Sequence, residues 1–294
     1  MSDTAASVQH KIGTADELHS VVRTMKAMAA SSIGQYQNAV AALDDYYRGV
    51  QLGLAVWLRQ ADSAGADTPS AMLPETGIDV IVFGSDLGMA GPFNDVMRDF
   101  VQTTLAALPA EKTIWAVGER IASQLSDAGL APVQSLPLPS TIHAITPLVG
   151  RLLAALEQRH AQLTQTPVYV FHHRPTPAGL YAPVCQRLLP LDLAWRRELA
   201  QLHWPGNQLP EILGPALPAL TAFLSEYLFV TLFRACAESQ ASENASRLAA
   251  MQRAEKNIEE LLEQLTRDYH RMRQGDIDEE LFELVAGFEA LPPA

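Results

Sequence analysis

Three short stretches of this chain carry residue types that could do chemistry. The first is Gly84-Ser85-Asp86-Leu87-Gly88-Met89-Ala90-Gly91-Pro92, a glycine-rich loop between an apolar run and a helix-forming one. Phosphate-binding loops sit in that position, because free backbone amides at a helix start cradle an anion. The spacing is not G-x-G-x-x-G, the G-K-[ST] ending of a P-loop is missing, and Pro92 removes an amide that an anion would need. These residues read as a tight turn at the carboxyl end of a first strand. The second stretch is His172-His173-Arg174, at the end of another apolar run. Neighbours on a strand point to opposite faces, so the two imidazoles do not share a metal. The third is the acidic pair Glu279-Glu280, which reads as a solvated helix face rather than an acid–base dyad. His143, His160, His203 and His270 are scattered, and no H-E-x-x-H occurs. No residue is nominated as catalytic, cofactor-binding or metal-ligating.

Composition narrows the classes further. The chain has 294 residues, 48% of them hydrophobic, enough for a real core and too apolar for disorder. Its formal net charge of −12 argues against nucleic-acid binding through phosphate contacts. Cys185 and Cys236 are the only cysteines, which suggests neither a disulfide framework nor a metal cage and favours a reducing, cytosolic setting. The first ten residues show no targeting pattern. The nearest thing to a membrane span, Ile212–Phe233, contains Pro215, Pro218 and Glu226 and reads as the start of a buried helix.

The elements that position these residues follow from the prolines. None precedes Pro69 and none lies between Pro218 and Pro292. Proline breaks helix interiors, so both ends are free to be long helices and the middle is cut into short elements. A helix over 217–291 would be roughly 110 Å long. Its apolar or small residues recur at Met251, Ala254, Ile258, Leu261 and Leu265, then at Ile277, Leu281, Leu284, Phe288 and Leu291, with a phase slip near Gly275. The N-terminal segment repeats the pattern at Leu18, Val22, Met25, Ala29, Ser32, Tyr36, Ala39, Leu43, Tyr46 and Val50. Alternating steps of three and four mark the seam of a coiled coil. The two segments predict one antiparallel pair, since the matching helix in the same chain is a simpler partner than a second copy.

Between them, Ala61–Thr76 reads as a linker. Ile78–Phe83, Thr113–Val117, a start at Val133 and Val168–Phe171 read as strands, and Val184–Leu193 as an edge strand. Pro92–Leu108, Arg120–Asp127 and Pro147–Leu163 read as helices, and Trp195–Pro215 as irregular with a turn at Pro205-Gly206-Asn207. Strands alternating with helices predict a mainly parallel, Rossmann-like sheet covered on both faces. The fold class is therefore α/β: a coiled coil of N- and C-terminal helices plus a Rossmann-like domain, divided at residues 1–65, 66–210 and 211–294. The small-residue run Ala235–Ala254 reads either as a solvent-exposed helix or as a slim rod threading a narrow surrounding structure.

Several runs, taken in order, resemble the gamma subunit of F-type ATP synthases. The run Ala241-Ser242-Glu243-Asn244-Ala245-Ser246-Arg247-Leu248-Ala249-Ala250-Met251 is similar to that family. So is Tyr269–Gly287, against a family shape Tyr-Asn-x-x-Arg-Gln-x-x-Ile-Thr-x-Glu. Thr24-Met25-Lys26-Ala27-Met28-Ala29-Ala30 resembles its Ala-Met-Lys-Met-Val-Ala-Ala. Ser85–Asn94 resembles its Ser-Asp-Arg-Gly-Leu-Cys-Gly-x-x-Asn. Departures are His270 for Asn, Asp278 for Thr, Leu87 for a basic residue, and Ser31–Gln35 for a basic stretch, which suggests a divergent or alternate bacterial branch.

The resemblance implies a non-catalytic, cofactor-free rotor in the central stalk. Its paired helices would fill a ring of three alpha and three beta subunits, and its α/β domain would meet epsilon and the membrane c-ring. Membrane association would come only through the c-ring, at the cytoplasmic face of a bacterial inner membrane. Contacts with the alpha-beta ring would fall to Met25, Lys26, Arg247, Met251, Arg273, Gln274 and Asp278. The alternative from the residues is a Rossmann-like nucleotide-dependent enzyme with helical dimerisation arms.

Overall fold

A computed structural model of the chain describes residues 4–63, 77–108, 110–159, 166–177, 179–190, 193–208, 210 and 216–289. It divides into two compact units, a terminal one of residues 1–29 with 247–294 and a central one of residues 30–246. Two long helices, α1 (Ala5–Ser63) and α6 (Ala216–Glu289), contribute to both. Apart from 61–63, which lie in α1, the stretch read as a linker is outside the described residues.

The central unit is built on a five-stranded sheet of β1 (Gly77–Phe83), β2 (Glu111–Val117), β3 (Gln134–Leu136), β4 (Val168–Thr176) and β5 (Gly179–Leu189), ordered β3-β2-β1-β4-β5. The first four are parallel and β5 returns antiparallel beside β4. The crossovers are α2 (Phe93–Ala106), α3 (Glu119–Asp127) and a 3-10 turn (Ile142–Ala144) leading into α4 (Ile145–Arg159). β1 is buried on both faces, as a central parallel strand must be. Ile78, Val80 and Val82 pack with Met97, Val101 and Leu105 of α2 and with Ile121 and Leu125 of α3. Ile81 and Phe83, pointing the other way, pack with Leu148 and Leu152 of α4, with Leu54 and Trp57 of α1, and with Leu228 and Leu232 of α6. The long helices are thus a covering layer of the sheet within this unit. In the apolar stretch that resembled a membrane span, Leu224, Tyr227, Leu228, Val230, Leu232 and Phe233 are buried there.

The helices pair antiparallel in each unit. In the central unit Gly53 faces Phe223, Tyr47 stacks on Tyr227, and Asp44 pairs with Arg234. In the terminal unit Lys26 meets Glu255 and His19 meets Glu259. The seam holds at Val22, Ala29, Tyr36, Leu43 and Val50, all buried or half-buried. Three expected members are displaced by one position. Leu18 and Tyr46 are 54% and 48% exposed, and His19 and Tyr47 face inward instead. Leu261 is 47% exposed, and Leu262 takes its place. A helix of 3.6 residues per turn drifts about 20° per heptad against a strict 3.5 repeat, which is enough to pass the seam to a neighbour.

Two other expectations change. Ile277, Leu281 and Leu284 are not seam residues but exposed. With His19 level with Glu259, and both helices rising 1.5 Å per residue, the start of α1 at Ala5 falls near about residue 273, so α6 outruns its partner. Of the other two expected there, Leu291 is outside the described residues. The region read as irregular opens with a helix, α5 (Leu193–Gln201), whose Leu199 is buried and whose Trp195 ring lies 4.8 Å from Tyr227.

Candidate functional site

The chain steps from β1 outward through β2 to β3, then returns to β4 on the other side of β1. The carboxyl ends of β1 and β4 therefore form a topological switch point, the crevice where doubly wound sheets hold ligands. Both motifs that could carry chemistry lie there: the Gly84–Pro92 loop after β1 and His172-His173-Arg174 on β4.

The glycine-rich loop is closed on itself. Asn94 receives the Ser85 amide on Oδ1 at 2.9 Å and donates from Nδ2 to Ser85 Oγ at 2.6 Å. The Asp86 carboxylate accepts the amide of Glu119, the first residue of α3, at 2.9 Å and that of Leu138 at 3.0 Å. An acidic side chain is favourable at a helix start, and here it takes amides that a phosphate would need. Gly118 has φ +120, and a Cβ on it would come within 2.8 Å of the Ser85 carbonyl oxygen, so no other residue fits this crossing of loop and helix start. Met89 holds φ +62 without being glycine.

The crevice itself is filled by α6. Within the central unit, residues 235–244 and Ser246 are all buried. This overturns the exposed-helix reading of the small-residue run over these residues, and the surrounding structure is the chain's own sheet domain. Alanine and serine side chains are short enough for loops to close round the helix on every side. Most of the buried polar groups of this run are hydrogen-bonded, as burial requires, while the Ser239 hydroxyl has no hydrogen-bond partner among the described residues. Ser246 Oγ donates to the Ala90 carbonyl of the glycine-rich loop, and Gln240 Nε2 to the Pro139 carbonyl at 3.1 Å. Ser242 Oγ and Asn244 Nδ2 donate back along the helix to the Glu238 and Gln240 carbonyls.

The two histidines part as strand geometry requires. His173 faces α2: its Nε2 donates to the Phe93 carbonyl at 2.9 Å, and its ring lies 4.2 Å from Phe93 and 4.5 Å from Tyr181. Burial pushes its pKa down to about 4, so it is neutral and Nε2 carries the proton. His172 faces α6, with Nε2 3.0 Å from Glu238 Oε2. Burial lowers its pKa too, outweighing the pull of Glu238, so it donates as a neutral imidazole. Glu238 also accepts Arg174 Nε at 3.0 Å and Arg234 Nε at 2.9 Å. Burial alone would raise its pKa, but the hydrogen bonds from His172 and Arg234 outweigh it and hold the carboxyl down to about 2. The cluster clamps α6 to β4 and offers no unpaired nucleophile. Its signal in the sequence, Glu238 in an alanine-rich run, is visible only once β4 is placed beside it.

The residues expected to contact a surrounding ring lie in the terminal unit. Met25 and Lys26 are half-buried, and the Lys26 ammonium is bound to Glu255. Met251 is only 5% exposed, while Arg247 is half-buried. Arg273, Gln274 and Asp278 are exposed on the stretch of α6 that outruns α1. That stretch also exposes three apolar residues expected in a seam, Ile277, Leu281 and Leu284, together with Val285 and Phe282, the last 74% exposed.

Comparison with known proteins agrees over nearly the whole length. The family model described as ATP synthase matches residues 4–291. The chain is 25% identical over 288 residues to the ATP synthase gamma chain of Bacteroides fragilis, covering 95% of this chain and 97% of that one. It is 28% identical to the ATP synthase gamma chain of Granulibacter bethesdensis, covering 97% and 98%. Among solved structures, a chain of the Euglena gracilis mitochondrial ATP synthase, in an assembly of OSCP, F1 and c-ring, matches with TM-score 0.66 at 14% identity, covering 97% of this chain and 94% of that one. A chain of the central stalk and c-ring of the Tetrahymena thermophila mitochondrial ATP synthase matches with TM-score 0.58 at 21% identity, covering 80% and 99%.

Proposed function

Since the chain belongs to the ATP synthase gamma family, we propose that it is the central-stalk rotor of an F-type ATP synthase. It would turn inside a ring of three alpha and three beta subunits and rest, with epsilon, on the membrane c-ring. An asymmetric shaft in a pseudo-threefold ring biases each catalytic site differently as it turns. Ion flow and ATP chemistry are then coupled mechanically, with the nucleotide sites on other chains. The subunit is peripheral to the membrane, at the cytoplasmic face of a bacterial inner membrane in this reading.

The observation that carries the proposal is the end of α6. A helix whose apolar face at Ile277, Leu281, Phe282, Leu284 and Val285 has no partner among the described residues needs a bearing from another chain. Arg273, Gln274 and Asp278 on the same stretch would meet loops of that bearing, and Met25, Lys26, Arg247 and Met251 would serve the shaft below its tip. In the three-part division, 1–65 and 211–294 form the shaft and 66–210 the foot. The alternative enzyme reading is opposed by the crevice: α6 fills the switch point, and Asp86 holds amides that a nucleotide phosphate would use.

Co-expression with the alpha and beta subunits of the same F-type ATP synthase tests the reading. The chain is expected to elute with both, and a chain ending before Arg273 is expected to lose coupling of ATP hydrolysis to ion movement. Elution of the full chain alone, or saturable ATP binding by the isolated chain, would refute it.

A further inference from the structure

In the terminal unit, one histidine of α1 faces two glutamates of α6. Glu255 and Glu259 are four residues apart, which puts them on one helical face, and His19 reaches them from the opposite helix. One ligand atom from each of the three lies within 4.8 Å of the others. Metal–ligand bonds of about 2.0–2.2 Å close such a triangle after small side-chain rotations.

A second observation points the same way. His19 Nε2 is shielded from solvent and has no hydrogen-bond partner. Its nearest carboxylate oxygen, on Glu259, is 3.5 Å away, too far for a good N–H···O bond. A ring nitrogen buried between two carboxylates and bonded to neither is poised for coordination. Lys26 occupies Oε2 of Glu255, which leaves the other oxygen of that carboxylate for an ion. One imidazole and two carboxylates, with no further oxygen donors among the three, suit a transition ion that bonds imidazole nitrogen better than calcium or magnesium, which take oxygen cages.

We propose that His19, Glu255 and Glu259 form a three-ligand site for a divalent transition ion of the zinc class, with water completing the shell. An ion held there would staple α1 to α6, because the ligands come from both helices. Three protein ligands and an open position make the ion exchangeable rather than sealed.

The test is zinc titration of the purified, chelator-treated full-length chain by calorimetry, with cobalt absorption as a second probe of the ligand set. One equivalent of zinc is expected to bind in the micromolar range and to raise the thermal midpoint. His19→Ala and Glu259→Gln are each expected to weaken binding by about tenfold or more. Glu259 lies on the solvent side of the pair, so Glu259→Gln decides the matter if His19→Ala loses helicity by circular dichroism. Absence of saturable binding below millimolar zinc overturns the proposal. So does one-equivalent binding that neither substitution weakens, since the ion would then be held elsewhere.

Discussion

Replacing Glu238 by glutamine leaves its shape and removes its charge, so it isolates what the carboxylate contributes. The carboxylate takes three hydrogen bonds, from His172, Arg174 and Arg234, at 2.9 to 3.0 Å. A glutamine there turns an NH2 group towards donors, so at least one bond is lost and its donor is left facing another. Hydrogen bonds to a charged group are worth about 1.5–3 kcal/mol each, and breaking a fully buried pair costs about 3–5 kcal/mol. Arg174 and Arg234 are half or one-third exposed and can recruit water, which moves the expectation to the lower end. The depressed pKa gives a second route. A carboxyl carried from 4.5 down to about 2 corresponds to about 3 kcal/mol at about 1.36 kcal/mol per pH unit. Both routes place Glu238→Gln at about 2–3 kcal/mol of lost stability at pH 7. The sign of the pH dependence follows from linkage. Between pH 4.5 and 2 the unfolded chain binds a proton at this group that the folded chain does not, so the stabilisation is full above about 4.5 and is lost as pH falls towards 2. Urea denaturation of both proteins at pH 7, 4 and 3 measures this. The gap between them should narrow steadily with acid. A gap under about 0.5 kcal/mol at pH 7, or one that stays constant to pH 3, refutes the clamp.

Other outcomes follow from the same structure. The His173 pKa, lowered by burial from 6.5 to about 4, makes stability decline as pH falls from about 6.5 to about 4, by up to about 3 kcal/mol; His173→Phe should flatten that slope in pH-dependent melts. Gly118→Ala should destabilise by about 2 kcal/mol or more, because φ +120 and a 2.8 Å contact with Ser85 oxygen both oppose a Cβ, and urea midpoints would show it. Arg273→Ala with Gln274→Ala should leave helicity intact, since both side chains are exposed and alanine favours helix. In the assembled complex the pair should lower coupled turnover, and an unchanged ATPase rate and ion coupling would mark them as ordinary solvated residues.

The sheet was legible because its information is local. Ile78–Phe83 is a buried strand by its run of branched residues, and each following strand and crossover repeats that pattern at short range. The long helices were legible from proline alone, since nothing else in the chain ends a helix so sharply. What escaped was anything decided by the level at which two helices meet. Leu261 and Leu262 are adjacent and chemically identical, and only the rotation of α6 against α1 chooses between them. A strict heptad reading also carried the seam from Ile277 to Leu291, and Ile277, Leu281 and Leu284 are exposed, because a sequence pattern does not contain the point where the partner helix stops. α5 was missed for a related reason: nine residues, two of them the pair Arg196-Arg197, are too few to show a period, and among its described side chains only Trp195 and Leu199 hold the core.

The small-residue run shows why the candidate site was harder to read than the fold. In isolation, Ala235 to Ser246 has the composition of an exposed helix, with Glu238, Gln240, Glu243 and Asn244 among alanines and serines. Burial of four such polar residues is tolerable only where each finds a partner, and several of those partners lie far away in sequence. Glu238 finds His172 and Arg174 on β4, Gln240 finds the Pro139 carbonyl after β3, and Ser246 finds the Ala90 carbonyl after β1. Every one of these acceptors or donors stands at a carboxyl end of the sheet. The strand end and loops that in a ligand-binding α/β fold converge on a nucleotide here converge on a helix of the chain itself. A polar ligand site and a polar helix socket ask for the same residue types on the loops, which is why the glycine-rich loop could be read as a phosphate cradle. What separates them is the steric demand on the other side, small side chains at Ala235, Ala237, Ser239, Ala241 and Ser242 that let the loops close. The sheet domain therefore grips α6 where a Rossmann enzyme would grip its cofactor, with the Glu238 cluster fastening the helix to β4.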